Sequence, residues 1–174
     1  MNELENLKYP IGRYLPSTSI SVMQIEQWIE DLAALPELID AITRGLSPAQ
    51  LAVTYRPGGW TVRQVVHHLA DSHINAYTRI KLTLTEDRPT IRPYDEERWA
   101  ELEEAKNGDI QLSIAILKAV HGRMVVLLNS LTATDFERSY FHPATCVEAT
   151  LGFLIGNYAW HGKHHLAHIQ STLS

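Results

Sequence analysis

Two long stretches with helical periodicity, each carrying a cluster of histidines, limit this chain more than any other feature. The first runs from a capping Thr61 to about Thr85, with Val62, Val65, Val66, Leu69, Ala76, Tyr77, Ile80 and Leu84 at helical spacing. The second runs from about Ala149 to Leu173, with Leu151, Leu154, Tyr158 and Ile169 on its inward side. Nine histidines occur in 174 residues, and most lie in these two stretches: His67, His68 and His73 in one, His161, His164, His165 and His168 in the other. Packing alone does not require such clusters. Histidine is the commonest metal ligand and the usual proton shuttle.

Two further helices complete the pattern. Ser21 can cap a helix through Met23, Ile25, Trp28, Ile29 and Leu32, which Pro36 should bend or break, leaving a second piece over Glu37 to Thr43. Asp109 can cap a helix from Ile110 to Leu131, with Ile114, Leu117, Val120 and Met124 near one face. The arm up to Ser19, with Pro10, Gly12 and Pro16, is expected to be extended. The segment from Phe136 to Val147 reads as irregular, with room for a short hairpin. The expected fold is all-α: one domain over residues 1–174, a four-helix bundle with short additional helices and loops.

Composition narrows the partners. The formal net charge is −5 and no block of Lys and Arg stands out, so neither nucleic acid nor an anionic membrane is an expected partner. No apolar stretch is expected to approach the roughly 18 residues needed to span a bilayer. Cys146 is the one cysteine, so no intramolecular disulfide can form. No charged segment followed by an apolar run opens the chain, so the expected location is cytoplasmic.

Successive residues of a helix lie about 100° apart. On the first histidine helix this turns His67 away from the apolar stripe and leaves His68 and His73. On the last helix His161 and His165 share the stripe, four residues apart, where two imidazoles can reach one ion. His164 and His168 lie toward its edge. A single inward histidine is more often a hydrogen-bonded core residue than a ligand, and His73 alone would be read so. His121 reads as structural or surface, His142 as a loop residue, and the four tryptophans as core or interface. Asp71, Ser72 and Asn75 could support the histidines from behind.

The run GGWTVRQVVHHLADSH, Gly58 to His73, together with AWHGKHHLAHI, Ala159 to Ile169, resembles the YfiT-like branch of the DinB superfamily. Leu7 to Gly12, Pro89 to Trp99 and His121 to Arg123 resemble it too. The resemblance implies a four-helix bundle with a metal on three histidines, one from a W-x7-H element and two from H-x-x-x-H on the last helix. Those positions are His68, His161 and His165. It further implies one zinc or nickel ion per chain, a homodimer, a small-molecule substrate, and a metal-dependent hydrolase. An alternative is an S-transferase acting with a low-molecular-weight thiol such as bacillithiol. Three neutral imidazoles leave an open position where water or a thiol can be acidified. A non-catalytic metal-binding protein is the second alternative. The chain has no H-E-x-x-H glutamate to serve as a metalloprotease-type base.

Overall fold

A computed structural model of the chain describes residues 3–15 and 19–173. In chain order the elements are α1 (Glu3–Lys8), α2 (Val22–Thr43), α3 (Pro48–Leu51), α4 (Val62–Thr85), α5 (Glu96–Ala100), α6 (Glu103–Asn107), α7 (Ile110–Leu128), α8 (Ala133–Phe136), β1 (Ser139–His142), β2 (Val147–Thr150) and α9 (Leu151–Ser171). The long helices are α2, α4, α7 and α9, of 19 to 24 residues.

One local device starts three helices. A Ser or Thr hydroxyl accepts the amide of a Gln three residues on, and that Gln side chain accepts the hydroxyl residue's own backbone N–H. Ser21 with Gln24, Ser47 with Gln50 and Thr61 with Gln64 all do this. Gln64 also donates from Nε2 to the Ala100 carbonyl at 2.8 Å, tying the start of α4 to α5. Asp109 and Thr150 cap α7 and α9 in the simpler way.

The bundle is a ring. Helix α2 packs on α7 and α9, and α4 packs on the same two. Hence α2 and α4, neighbours in sequence, lie diagonal, and α4 and α9 lie side by side. The apolar core falls into two clusters. One contains Ile29, Leu32, Ala76, Ile80, Met124, Leu128 and Ala159. The other contains Leu35, Ile39, Val65, Leu69, Leu117 and Ile169. Each long helix crosses from one to the other, and on three of them the crossing point is histidine. His73 sits between Leu69 and Ala76, His121 between Leu117 and Met124, and His161 and His165 between Ala159 and Ile169. A polar layer thus divides the core.

Several expectations need correction. The arm is not wholly extended: Glu3–Lys8 is helical, in keeping with the good helix formers in ELENLK, while Pro16 lies outside the described residues. Pro36 does not break α2, which runs through it. The ring nitrogen of Pro36 cannot donate to the Leu32 carbonyl, but that carbonyl is not orphaned, because His121 Nδ1 lies 2.6 Å from it. The last helix begins at Leu151, since Ala149 pairs with Tyr140 in an antiparallel hairpin. Among the described residues α7 is long and apolar enough, by length and composition alone, to cross a membrane. This corrects the expectation that no stretch approaches that length. One face of α7 is nonetheless buried, through Ile114, Leu117, Met124 and Leu128, against α2 and α4.

Close approach of α2 to α9 depends on glycine. A Cβ on Gly156 would lie 2.5 Å from the Tyr14 hydroxyl and 2.8 Å from the Trp28 ring. Gly156→Val is expected to destabilise the fold by about 1–3 kcal/mol through overpacking. Urea unfolding would show this as a lower midpoint with an unchanged slope.

Candidate metal centre

The adjacency of α4 and α9 brings His68 to His161 and His165. One ring nitrogen from each lies within 4.8 Å of the other two. His68 Nε2 and His161 Nε2 are 3.2 Å apart. The rings of His68 and His165 meet edge-on at 4.9 Å, and those of His161 and His165 at 4.5 Å. Edge-on packing lets several lone pairs aim at one point, where stacked rings would aim them in parallel.

These imidazoles are uncharged at neutral pH. Burial, aided by the neighbouring His164, pushes His68 down to about 4. Burial and the surrounding histidines hold His161 and His165 well below the usual imidazole range. A buried imidazolium would lose its hydration and face other histidines, so the neutral form wins. No acid-range titration therefore stands between these nitrogens and an ion at pH 7. The set suits a borderline cation such as zinc or nickel, for which neutral imidazole is a good donor.

All three histidines line a cavity of about 1030 Å³. Trp60 packs on it from the GGW turn, its ring 4.6 Å from that of His68 and stacked on His165 at 6.2 Å. Tyr158 lines the same wall, and Arg79 Nη1 donates to its hydroxyl at 2.9 Å. Arg79 Nη2 donates to the Arg92 carbonyl, and Pro93 and Tyr94 carry the proline-rich loop to the cavity. Lys8 and Arg56 supply positive charge; Glu96, Glu97 and Glu101 supply carboxylates.

Other readings fared variously. His67 is outside the group, yet it is not on a solvent face: it is buried, with Nδ1 2.8 Å from the Ser113 hydroxyl of α7. The α7 helix covers the side of α4 that a single apolar stripe assigns to water. His73 is fully buried, with Nε2 3.4 Å from His161 Nδ1. Ser72 reaches the cavity wall beside Tyr158. Asn75 instead donates to the Asp71 carbonyl of its own helix. Burial, then the charge of Glu104, raises the Asp71 carboxyl to about 6. Sequence reasoning missed Trp60 and Tyr158 as site residues, and it placed His168 toward the edge of the stripe; of its two readings of His121, structural or surface, the structural one holds. His121 is buried with Nε2 2.9 Å from His73 Nδ1, and His168 is buried with Nδ1 3.3 Å from His165 Nδ1. The H-x-x-H spacing of His165 and His168 was the available signal.

The depressed pKa values set a pH window. An unfolded histidine titrates near 6.5. Folded His68 and His168 titrate at about 4, and His164 at about 3, burial being the main cause in each. Below about pH 6.5 the unfolded chain gains protons that the folded one refuses, so stability present above that pH is lost as pH falls toward 4. Metal-free protein is expected to show a clearly lower urea midpoint at pH 5 than at pH 7.5. Equal midpoints would mean that these imidazoles are not buried in their neutral form.

Comparison with known proteins places the family and the fold. Residues 31–169 match the family model described as the DinB superfamily. The chain is 50% identical over 164 residues, 94% of this chain and 92% of the other, to the "Putative metal-dependent hydrolase YfiT" of Bacillus subtilis (strain 168). It is 49% identical over 170 residues to a protein of the same description from Bacillus pumilus (strain SAFR-032), covering 98% of this chain and 97% of that one. A solved structure of Bacillus subtilis YfiT, described as a probable metal-dependent hydrolase with an unusual four-helix bundle topology, superposes with a TM-score of 0.94 at 49% identity. It covers 96% of this chain and 95% of that one.

Proposed function

This chain belongs to the DinB superfamily, and from that premise we propose that it is a metal-dependent hydrolase of a small molecule, with one zinc or nickel ion on His68, His161 and His165. The observation that carries the reading is the convergence of three uncharged imidazoles on one point of a cavity wall. An ion held there would supply a Lewis acid able to acidify water or polarise a carbonyl.

The chain's own residues support such chemistry. His68, His161 and His165 offer neutral lone pairs and no counter-charge, so the positive charge of an ion is not cancelled by its ligands. Trp60 covers His68 and His165 with an apolar ring, which limits water there. Burial raises the Tyr158 hydroxyl, keeping it protonated. Arg79 donates to the Tyr158 oxygen, so the phenol proton is free to be donated in turn, and a substrate oxygen bearing developing charge is a suitable acceptor.

A second reading is an S-transferase acting with a low-molecular-weight thiol. Among the described residues the converging group contains only histidine and no carboxylate to act as base beside them. A thiol ionises near pH 8.5 and needs far less help than water.

The test combines metal analysis with turnover. Wild type purified without added metal is expected to carry about one zinc or nickel per chain, and His165→Ala to lose it together with activity. Turnover of an ester or amide without thiol supports the hydrolase; turnover only with added thiol supports the transferase; metal without turnover in either assay leaves a binding protein. A wild type that neither carries nor takes up zinc or nickel contradicts the metalloenzyme reading. Tyr158→Phe is expected to keep its metal while kcat falls by about 10²-fold, and an unchanged kcat would remove Tyr158 from the chemistry.

A further inference from the structure

Behind the three histidines lie others whose arrangement has a direction. A neutral imidazole has one N–H and one lone pair. A backbone carbonyl only accepts. Wherever a histidine meets a carbonyl, its proton is therefore located, and the next histidine inherits the constraint.

One chain starts at α2. Pro36 has no N–H for the Leu32 carbonyl, which His121 Nδ1 approaches to 2.6 Å. The His121 proton is on Nδ1, so Nε2 is a lone pair. It lies 2.9 Å from His73 Nδ1, which must donate. That makes His73 Nε2 a lone pair, 3.4 Å from His161 Nδ1. This last bond is long, and its only consistent donor is His161 Nδ1. The His161 lone pair is then on Nε2, the atom that faces His68.

The second chain starts at α1. The Lys8 carbonyl lies 3.2 Å from His168 Nε2, which donates. His168 Nδ1 is a lone pair 3.3 Å from His165 Nδ1, which must donate in turn. The His165 lone pair is on Nε2. Tyr55 stacks on the His168 ring at 3.9 Å and holds its orientation. Two chains of opposite origin thus give the same result on two successive turns of α9.

We propose that His121 with His73, and His168, are positioning residues that lock His161 and His165 in the Nδ1–H tautomer, with the Leu32 and Lys8 carbonyls as the anchors. This inference rests on the three-histidine site proposed above and assigns a task to histidines outside it. His68 then differs from its partners. Among the described residues, His68 Nε2 is the donor that faces the His161 Nε2 lone pair in the metal-free protein, so of the three His68 is the one that moves its proton to Nδ1 when an ion enters. Burial keeps every member of both chains neutral at pH 7, as single-proton tautomers require.

Long-range proton–nitrogen correlation spectra of the full chain, with labelled histidine at pH 8, read these tautomers directly. Without metal, His161, His165, His73 and His121 are expected to carry the proton on Nδ1, and His168 and His68 on Nε2. With zinc, only His68 is expected to change. An Nε2–H signal from metal-free His161 or His165 overturns the proposal. Zinc affinity, from competition with a chromophoric chelator, gives a second reading. His168→Phe is expected to bind zinc about 10–100-fold more weakly. His168→Gln, whose amide can donate to Lys8 and accept from His165, is expected to recover most of that loss. Equal affinity in wild type and His168→Phe, or equal losses in both variants, overturns the locking role of His168. A wild type that takes up no zinc defeats the metal site itself, while the metal-free spectrum still decides the tautomers.

Discussion

The structure depends on putting imidazoles where a core should be apolar. A buried polar nitrogen without a partner costs about 1–3 kcal/mol, and this bundle carries a whole layer of them between two apolar clusters. The layer is tolerable because its members bond to one another and end on backbone carbonyls. The bond from His121 to Leu32 shows the logic best, since it satisfies two groups at once: a buried histidine, and a carbonyl that Pro36 left open. Removing either partner would strand the other.

That layer also explains the helix order. Setting α2 diagonal to α4 makes α9 a neighbour of both. One face of α9 then meets His68 across the site. Gly156 and Gly162 let the α2 side chains Trp28 and Leu35 come close against the same helix. The cavity opens where the packing gives way to loops: the GGW turn with Trp60, the proline-rich segment ending at Tyr94, and the end of α1 at Lys8. Short elements of little stability in themselves thus border a site whose polar groups are held by long helices.

Much of this was legible in the sequence. Helical spacing found the long helices, and the capping residues Ser21, Thr61 and Asp109 mark where three of them begin. The pair at 161 and 165 followed from four-residue spacing together with its place on the apolar stripe, which set aside the equally spaced pair at 164 and 168. Choosing His68 over His73 did not: both point inward, and the W-x7-H resemblance made the choice. What the sequence hid was what depends on a neighbour. His67 looks exposed until α7 covers it. Pro36 looks like a breaker until His121, distant in sequence, takes the free carbonyl. The N-terminal arm offers no visible reason to matter, yet the Lys8 carbonyl anchors His168. Periodicity reports on which side a residue lies, and it cannot report on what stands opposite.

The account's central claim is that neutral imidazole nitrogens from α4 and α9 hold one ion with a position left open. X-ray absorption spectroscopy at the metal edge of zinc- or nickel-loaded protein tests it most directly. The account predicts three imidazole nitrogens at about 2.0–2.1 Å, seen through the multiple scattering of their rings, plus at least one light oxygen donor. A first shell with sulfur, one dominated by carboxylate oxygen, or one closed by four imidazoles would contradict it.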